Sequence, residues 1–412
     1  MNLTKLSRGT IASKTASKLA GTMASMMGLA TVLSLTACTR DYTVAYLYAT
    51  AANKGAVGAL NAYAVDFQTG SLVRIGNPVA TGNNPVSVVT APNGLFIYVL
   101  NHDDSSVQEF AVQSDGSAVS KNTYKTTGTL PTAAAIDQGG KFLYVTYTYQ
   151  TGYSAATPGP GGITIFPINA DNSLGTAANL NVGNNPVAVT TSNFNSFVYV
   201  VDQEVSPNAV VLGFSENTTT GALTPVPGTV ITTVAGKTVA TGYPAGTTPS
   251  AIAEDPTARF VYVTDQATNQ LYGKVVQSSG ALVSMVNGPF ATGLFPLAMT
   301  IDPRGKFLYV SNYNANTVSA YAIDQATGAP SGSVGSASTK VGTGPTCLTI
   351  EPALGIYLYT SNQLDGTVTG LKLDPHNGGL TNIQNTPFPA TGVPACTVAV
   401  ANGSHATQIV QP

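Results

Sequence analysis

A short motif built on tyrosine returns through most of the chain at intervals of roughly 50 residues, and it constrains the fold more than any other feature. It reads Tyr98-Val-Leu-Asn101, Tyr144-Val-Thr-Tyr147, Tyr199-Val-Val-Asp202, Tyr262-Val-Thr-Asp265, Tyr309-Val-Ser-Asn312 and Tyr359-Thr-Ser-Asn362, with a degenerate copy at Tyr48-Ala-Thr-Ala51. A proline stands ahead of six copies. Pro85, Pro131, Pro186, Pro249 and Pro296 each precede their tyrosine by 13 residues, and Pro345 precedes Tyr359 by 14. An apolar run follows each proline, then a turn such as Pro92-Asn-Gly94, Asp255-Pro256 or Asp302-Pro-Arg-Gly305, then the run that carries the tyrosine. A polar turn and two further strand-like runs complete the unit, so the pattern predicts four antiparallel strands per repeat.

The two ends of the array complement each other. Tyr48 has no proline-led strand before it, whereas Gly392-Val-Pro394-Ala-Cys396-Thr-Val-Ala-Val400 is a first strand with no tyrosine motif after it. Joined in space they complete one unit. The expected fold is therefore all-β: a seven-bladed β-propeller of four-stranded antiparallel blades, its ring closed by the C-terminal strand joining the N-terminal blade, with no open sheet edge left. Blades are numbered here from the one that carries Tyr48. Composition agrees: 42 Gly and 25 Pro supply turns, and 43% apolar residues suffice for a core. Only 9% of residues are charged and the formal charge is −2, which excludes nucleic acid as a partner because a polyanion needs clustered Lys and Arg.

The N-terminal segment reads as an address. Lys5, Arg8, Lys14 and Lys18 form a basic leader without an acid, followed by the mostly apolar run Leu19–Leu35 and then Leu35-Thr36-Ala37-Cys38. The last four residues resemble a bacterial lipobox, which implies cleavage before Cys38 and lipid on its thiol. The expected organisation is a signal peptide over 1–37, a lipidated tether over 38–44, the propeller over 45–405 and a tail over 406–412. Losing the first 37 residues leaves 13 basic and 19 acidic groups, a charge of −6. The expectation is an exported lipoprotein of a bacterial cell envelope, in the periplasm or on the surface, whose membrane contact runs through the acyl chains on Cys38.

In such a propeller the start of each innermost strand and the turn after the second strand emerge on one face, around the mouth of the central channel. A ligand belongs there. The third residue after each tyrosine predicts a ring of Asn101, Tyr147, Asp202, Asp265, Asn312 and Asn362, with His102 and Asp103 in the adjoining turn. These oxygens could hold a calcium ion or orient a sugar, but Asn and Asp at strand ends more commonly hydrogen-bond their own turns. No other cofactor or metal motif is present. His102 beside Asp103 has the form of a base oriented by a carboxylate. The turn from Tyr147 to Gly162 in blade 3 is unusually long and carries Tyr147, Tyr149 and Tyr153, which suit a glycan or a protein partner from the envelope. The stretch 216–248 reads as an outer-strand extension of blade 4 into a rim hairpin. Cys347 and Cys396 each lie two residues after the proline of sequence-adjacent first strands, which makes a disulfide between them a candidate in an exported protein.

The Tyr-Val-Thr-Asn-like motif over residues 45–401, with the Gly-x-x-Pro strand, the Asp-Pro-x-Gly turn and the Phe-Leu-Tyr-Val strand, resembles the YVTN-type propellers and the wider lactonase-like propeller family, which includes bacterial 6-phosphogluconolactonases. That resemblance implies lactone hydrolysis, with a Gly-Pro-Arg-His segment at the start of an innermost strand polarising the lactone and clamping its acid. The best match here is Gly344-Pro345-Thr346-Cys347, which lacks both working side chains. The sequence alone thus favours a lipid-anchored binding platform for a ligand or protein, with hydrolysis of a small lactone at an altered site as the alternative.

Overall fold

The computed structural model describes residues 42–53, 56–203, 209–234, 237–332, 338–403 and 408–412. Cys38 and the leader lie outside the described residues. Seven antiparallel sheets stand around a ring formed by their innermost strands, Pro85–Thr90, Thr129–Ile136, Pro186–Thr191, Pro249–Glu254, Pro296–Ile301, Pro345–Ile350 and Val393–Ala401, each in contact with the next and the last with the first. The closing strand Val393–Ala401 belongs to blade 1, where it pairs with Thr43–Asn53 in the register Tyr48↔Val398 and Ala45↔Ala401. The order within that blade runs Val393–Ala401, Thr43–Asn53, Ala56–Asp66, Leu72–Arg74. The ring is thus closed by backbone hydrogen bonds between the two ends of the chain, as the unmatched end strands require.

In most blades the outer strand is broken. Leu282–Ser284 and Phe290–Ala291, for example, both pair with Gln270–Val276. In blade 4 the break is filled by a separate hairpin, Val230–Val234 with Lys237–Thr241, before Tyr243–Pro244 rejoins the sheet. It interrupts the outer strand of the blade, and its Ile231 and Ala240 pack against the core between blades 3 and 4, beside Phe142, Tyr144 and Leu212.

The repeated tyrosine is an inter-blade strut. Its ring is buried in every blade, and a buried phenol needs an acceptor. Tyr48 donates to the Gly116 carbonyl, Tyr98 to Asn172, Tyr144 to Gly221, Tyr199 to Gly280, Tyr262 to Gly328, Tyr309 to Gly378 and Tyr359 to Gly70, always a turn of the next blade, at 2.6–3.1 Å. Each accepting residue has a positive φ, and Asn172, at 67°, stands where the other six blades use glycine. Burial drives all seven phenol pKa values upward, so the donors stay protonated.

The turns joining the first and second strands lie on the lower face and are tied by a buried acid. Asp302 accepts the amides of Lys306 and Phe307 at 2.7 and 2.8 Å, and Asp137, Asp255 and Glu351 repeat the arrangement. Both ends of the described propeller reach this face. Residues 408–412 dock there, with Val410 donating to the Leu354 carbonyl and receiving Arg304 on its own carbonyl. The upper face, where the inner strands begin, carries the channel mouth.

Candidate functional site

The upper face is assembled from two turns per blade. The residue four places after the repeated tyrosine donates its amide to the carbonyl immediately before the inner-strand proline: His102 to Asn84, Gln203 to Asn185, Gln266 to Thr248, Tyr313 to Phe295 and Gln363 to Gly344, at 2.8–3.1 Å. These residues therefore stand where the inner strands start. Their side chains link blades around the mouth. Gln203 Nε2 donates to the Pro249 carbonyl at 2.5 Å, and the Tyr313 hydroxyl donates to Gln363 Oε1 at 2.9 Å.

The third residue after the tyrosine does not share this ring, which corrects the sequence expectation by one position. Asn101, Tyr147, Asp202, Asp265, Asn312 and Asn362 are all fully buried. Their polar groups hold the turns. Asp202 accepts the Asn185 amide at 2.8 Å, Asp265 accepts those of Thr247 and Thr248 at 2.7 and 3.0 Å, and Asn312 accepts from Gly293 at 3.1 Å while donating to Thr317 and Ser319. Asn362 donates to Thr367 and Thr369, Asn101 to Ser106, and the Tyr147 hydroxyl to Asn179. The same side chains sit hard against a glycine of the preceding turn: a β-carbon on Gly183 would fall 1.2 Å from Asp202 Oδ2, and one on Gly293 2.5 Å from Asn312 Cγ. No three Asp, Glu, His or Cys side chains gather among the described residues.

His102 and Asp103 do come together. His102 Nδ1 lies 2.7 Å from Asp103 Oδ1, with the histidine side chain 28% exposed and the aspartate 56%. The His102 contact, then the Asn84 amide 3.1 Å away, hold the Asp103 carboxyl below its usual range. A carboxylate on Nδ1 fixes the tautomer that leaves Nε2 as a proton acceptor. Next in the turn, Asp104 accepts the backbone and side-chain amides of Asn83 at 2.6 and 2.8 Å, and its carbonyl receives Lys125 Nζ at 2.7 Å. Lys125 carries no sequence signal, since it lies at the end of an outer strand, and only the fold brings it to this turn.

Thr346 and Cys347 lie half-buried in the channel wall. The Thr346 hydroxyl donates to the Ala395 carbonyl at 2.7 Å, and Cys347 is bonded to Cys396 on the neighbouring inner strand, so both face blade 1. In the blade 3 insertion Tyr149 and Tyr153 are half-buried. The Tyr153 ring covers Gly159 and its amide donates to the Gln150 carbonyl, folding the insertion on itself. Tyr149 faces a cleft of about 460 Å³ between the insertion and the blade 4 hairpin. Lys340 is exposed on an outer strand of blade 6, and Arg74 on that of blade 1, where it binds Thr391 and Asn61.

A family model described as lactonase, 7-bladed beta-propeller, matches residues 46–181 and 189–350. No curated protein matches the chain. Among solved structures, a candidate 6-phosphogluconolactonase from Bacteroides uniformis is 18% identical, with 87% of this chain and 100% of that chain covered and a TM-score of 0.70. A periplasmic gluconolactonase from Pseudomonas aeruginosa gives the same identity, coverage and TM-score. At this identity the likeness shows a shared fold.

Proposed function

The chain belongs to the seven-bladed lactonase β-propeller family, and from that premise we propose that it hydrolyses an uncharged lactone, with His102 as general base and Asp103 as its orienting partner. The observation that carries this reading is the 2.7 Å His102–Asp103 contact on the mouth of the channel. Water loses a proton to His102 Nε2 as its oxygen bonds to the lactone carbonyl carbon. The tetrahedral adduct collapses by breaking the ring C–O bond, and the imidazolium returns the proton to the departing alkoxide. One water is consumed and one hydroxy acid is formed.

The residues described at the mouth support a substrate without charge. Thr346 stands where the family's segment has its guanidinium, and the three described arginines serve elsewhere, Arg259 and Arg304 on lower-face turns and Arg74 on an outer strand. A phosphorylated lactone would meet no bidentate clamp. The name of the Pseudomonas relative, a periplasmic gluconolactonase, supports both an exported enzyme and a substrate without phosphate, in keeping with the lipobox-like Leu35–Cys38.

The test is proton release from glucono-δ-lactone, γ-butyrolactone and 6-phosphogluconolactone by the purified mature protein. We expect turnover of an uncharged lactone that falls on the order of 100-fold or more in His102→Ala. Hydrolysis indistinguishable from background, or unaltered in His102→Ala, overturns the reading. A lipid-anchored binding platform then takes its place, supported by Thr346 and the half-cystine at 347 in the position of the family's working side chains.

A further inference from the structure

We propose that the cleft between the blade 3 insertion and the blade 4 hairpin is a binding site for a neutral oligosaccharide, separate from the His102 centre and independent of hydrolysis. Two departures from the sevenfold repeat meet there. Residues 147–162 lengthen one upper turn, and residues 230–241 add one hairpin. Neither is needed to close the ring, because the other blades close without them, yet both fold toward the same cleft.

The lining sets the ligand chemistry. Tyr149, Pro158 and Val239 supply apolar surface, while Thr148, Asn185 and Gln203 supply hydroxyl and amide groups; no charged side chain is among the described lining residues. Among the described lining residues a phosphate, carboxylate or metal ion finds no counter-charge. Amides and hydroxyls both donate and accept, as sugar hydroxyls do, and flat aromatic and prolyl surface suits the C–H face of a pyranose ring. The polar groups are preset. Asn185 Nδ2 donates to Gln203 Oε1 at 3.0 Å, Gln203 is held in turn by the Pro249 carbonyl, and the Gly161 amide ties the root of the insertion to the Gly183 carbonyl at 2.8 Å. Such preorganisation lowers the cost of binding. The volume of about 460 Å³ lies within the roughly 300–1,000 Å³ of small-ligand sites. The cleft reaches the mouth through Thr148 and Gln203, so a chain longer than one sugar has room to run outward.

The chain contains 19 Tyr and no Trp, so tyrosine emission sums over all blades and calorimetry is the primary readout. The mature protein is titrated with cellohexaose, maltohexaose and chitohexaose, and with oligogalacturonate as a charged control, by calorimetry and tyrosine fluorescence. At least one neutral probe is expected to bind with a dissociation constant of about 1 mM or tighter, without dependence on ionic strength. Tyr149→Ala is expected to weaken it about tenfold or more, and Val239→Asp, a change at an exposed hairpin position, to do the same without touching the core. Binding should persist in His102→Ala, which separates this result from the fate of the hydrolysis assay. Failure of every neutral probe at about 10 mM, preference for the charged probe, or binding unchanged in both Tyr149→Ala and Val239→Asp overturns the proposal.

Discussion

The hydroxyl of Tyr359 donates to the carbonyl of Gly70 at 2.6 Å, joining blade 7 to blade 1 across the closure of the ring between residues 289 positions apart in sequence. Removing the hydroxyl leaves a buried carbonyl without its donor, at a cost of roughly 1–3 kcal/mol. Tyr359→Phe should lower the unfolding free energy by that amount, read as a lower urea midpoint at unchanged slope, and Tyr309→Phe should do the same, since it joins blade 6 to Gly378 of blade 7 in the same way. Equal stability of wild type and both variants would show that the struts do not hold the blades.

A second link ties the closing strand Val393–Ala401 to the inner strand before it. The Cys347–Cys396 bond joins blades 7 and 1, with α-carbons 4.9 Å apart and a sequence separation of 49. In the chain-entropy model a loop of that size contributes about 4 kcal/mol. The Cys347→Ala/Cys396→Ala protein should therefore unfold at markedly lower denaturant than the oxidised parent, and reductant should shift the parent toward the variant. Thiol titration of the unfolded, unreduced mature protein should find neither cysteine free.

The oxygens at the third position after each tyrosine are turn fasteners. Asn312→Ala strips the Gly293 amide, Thr317 and Ser319 of a buried partner, and a loss of about 1–3 kcal/mol is expected. Lactone turnover per folded molecule should be unchanged. A tenfold loss of turnover at unaltered stability would return Asn312 to the site.

These residues also show where the sequence is informative. The spacing of proline and tyrosine carries the blade count because both are packing positions: the proline starts an inner strand and the tyrosine reaches the next blade. Ring closure is equally readable, since an unmatched first strand at one end and an unmatched second strand at the other have no other way to pair their backbones. Which of two consecutive residues meets the ligand is not readable. That choice turns on a register shift after the inner-strand proline, as between Pro296 and Ala298, and on glycines such as Gly293 whose missing side chain makes room for the residue across from it. The lean of the blade 4 hairpin toward blade 3 is set by Ile231 and Ala240 packing on another blade, a contact with no local signature.

A last consequence concerns pH. Glu254 closes the inner strand of blade 5 at 7% exposure, with Oε2 accepting the Asn193 amide at 2.8 Å and Oε1 buried without a hydrogen-bond partner. Burial outweighs the bonds from Asn193 and Ser192 and, helped by the charge of Asp255, pushes its pKa up to about 7. A folded-state value above the unfolded one means that the native protein holds this proton more tightly. Its contribution is complete below about pH 4.5 and is lost as pH rises through about 7. At roughly 1.4 kcal/mol per unit, the native state gives up on the order of 3 kcal/mol over that interval. Glu254→Gln keeps an acceptor for Asn193 and cannot ionise, so it should match the parent near pH 4.5 and exceed it at pH 8. Denaturant midpoints at the two pH values decide it: a gain of similar size at both would attribute the effect to packing, and a loss at pH 8 would show that the buried carboxylate stabilises the fold.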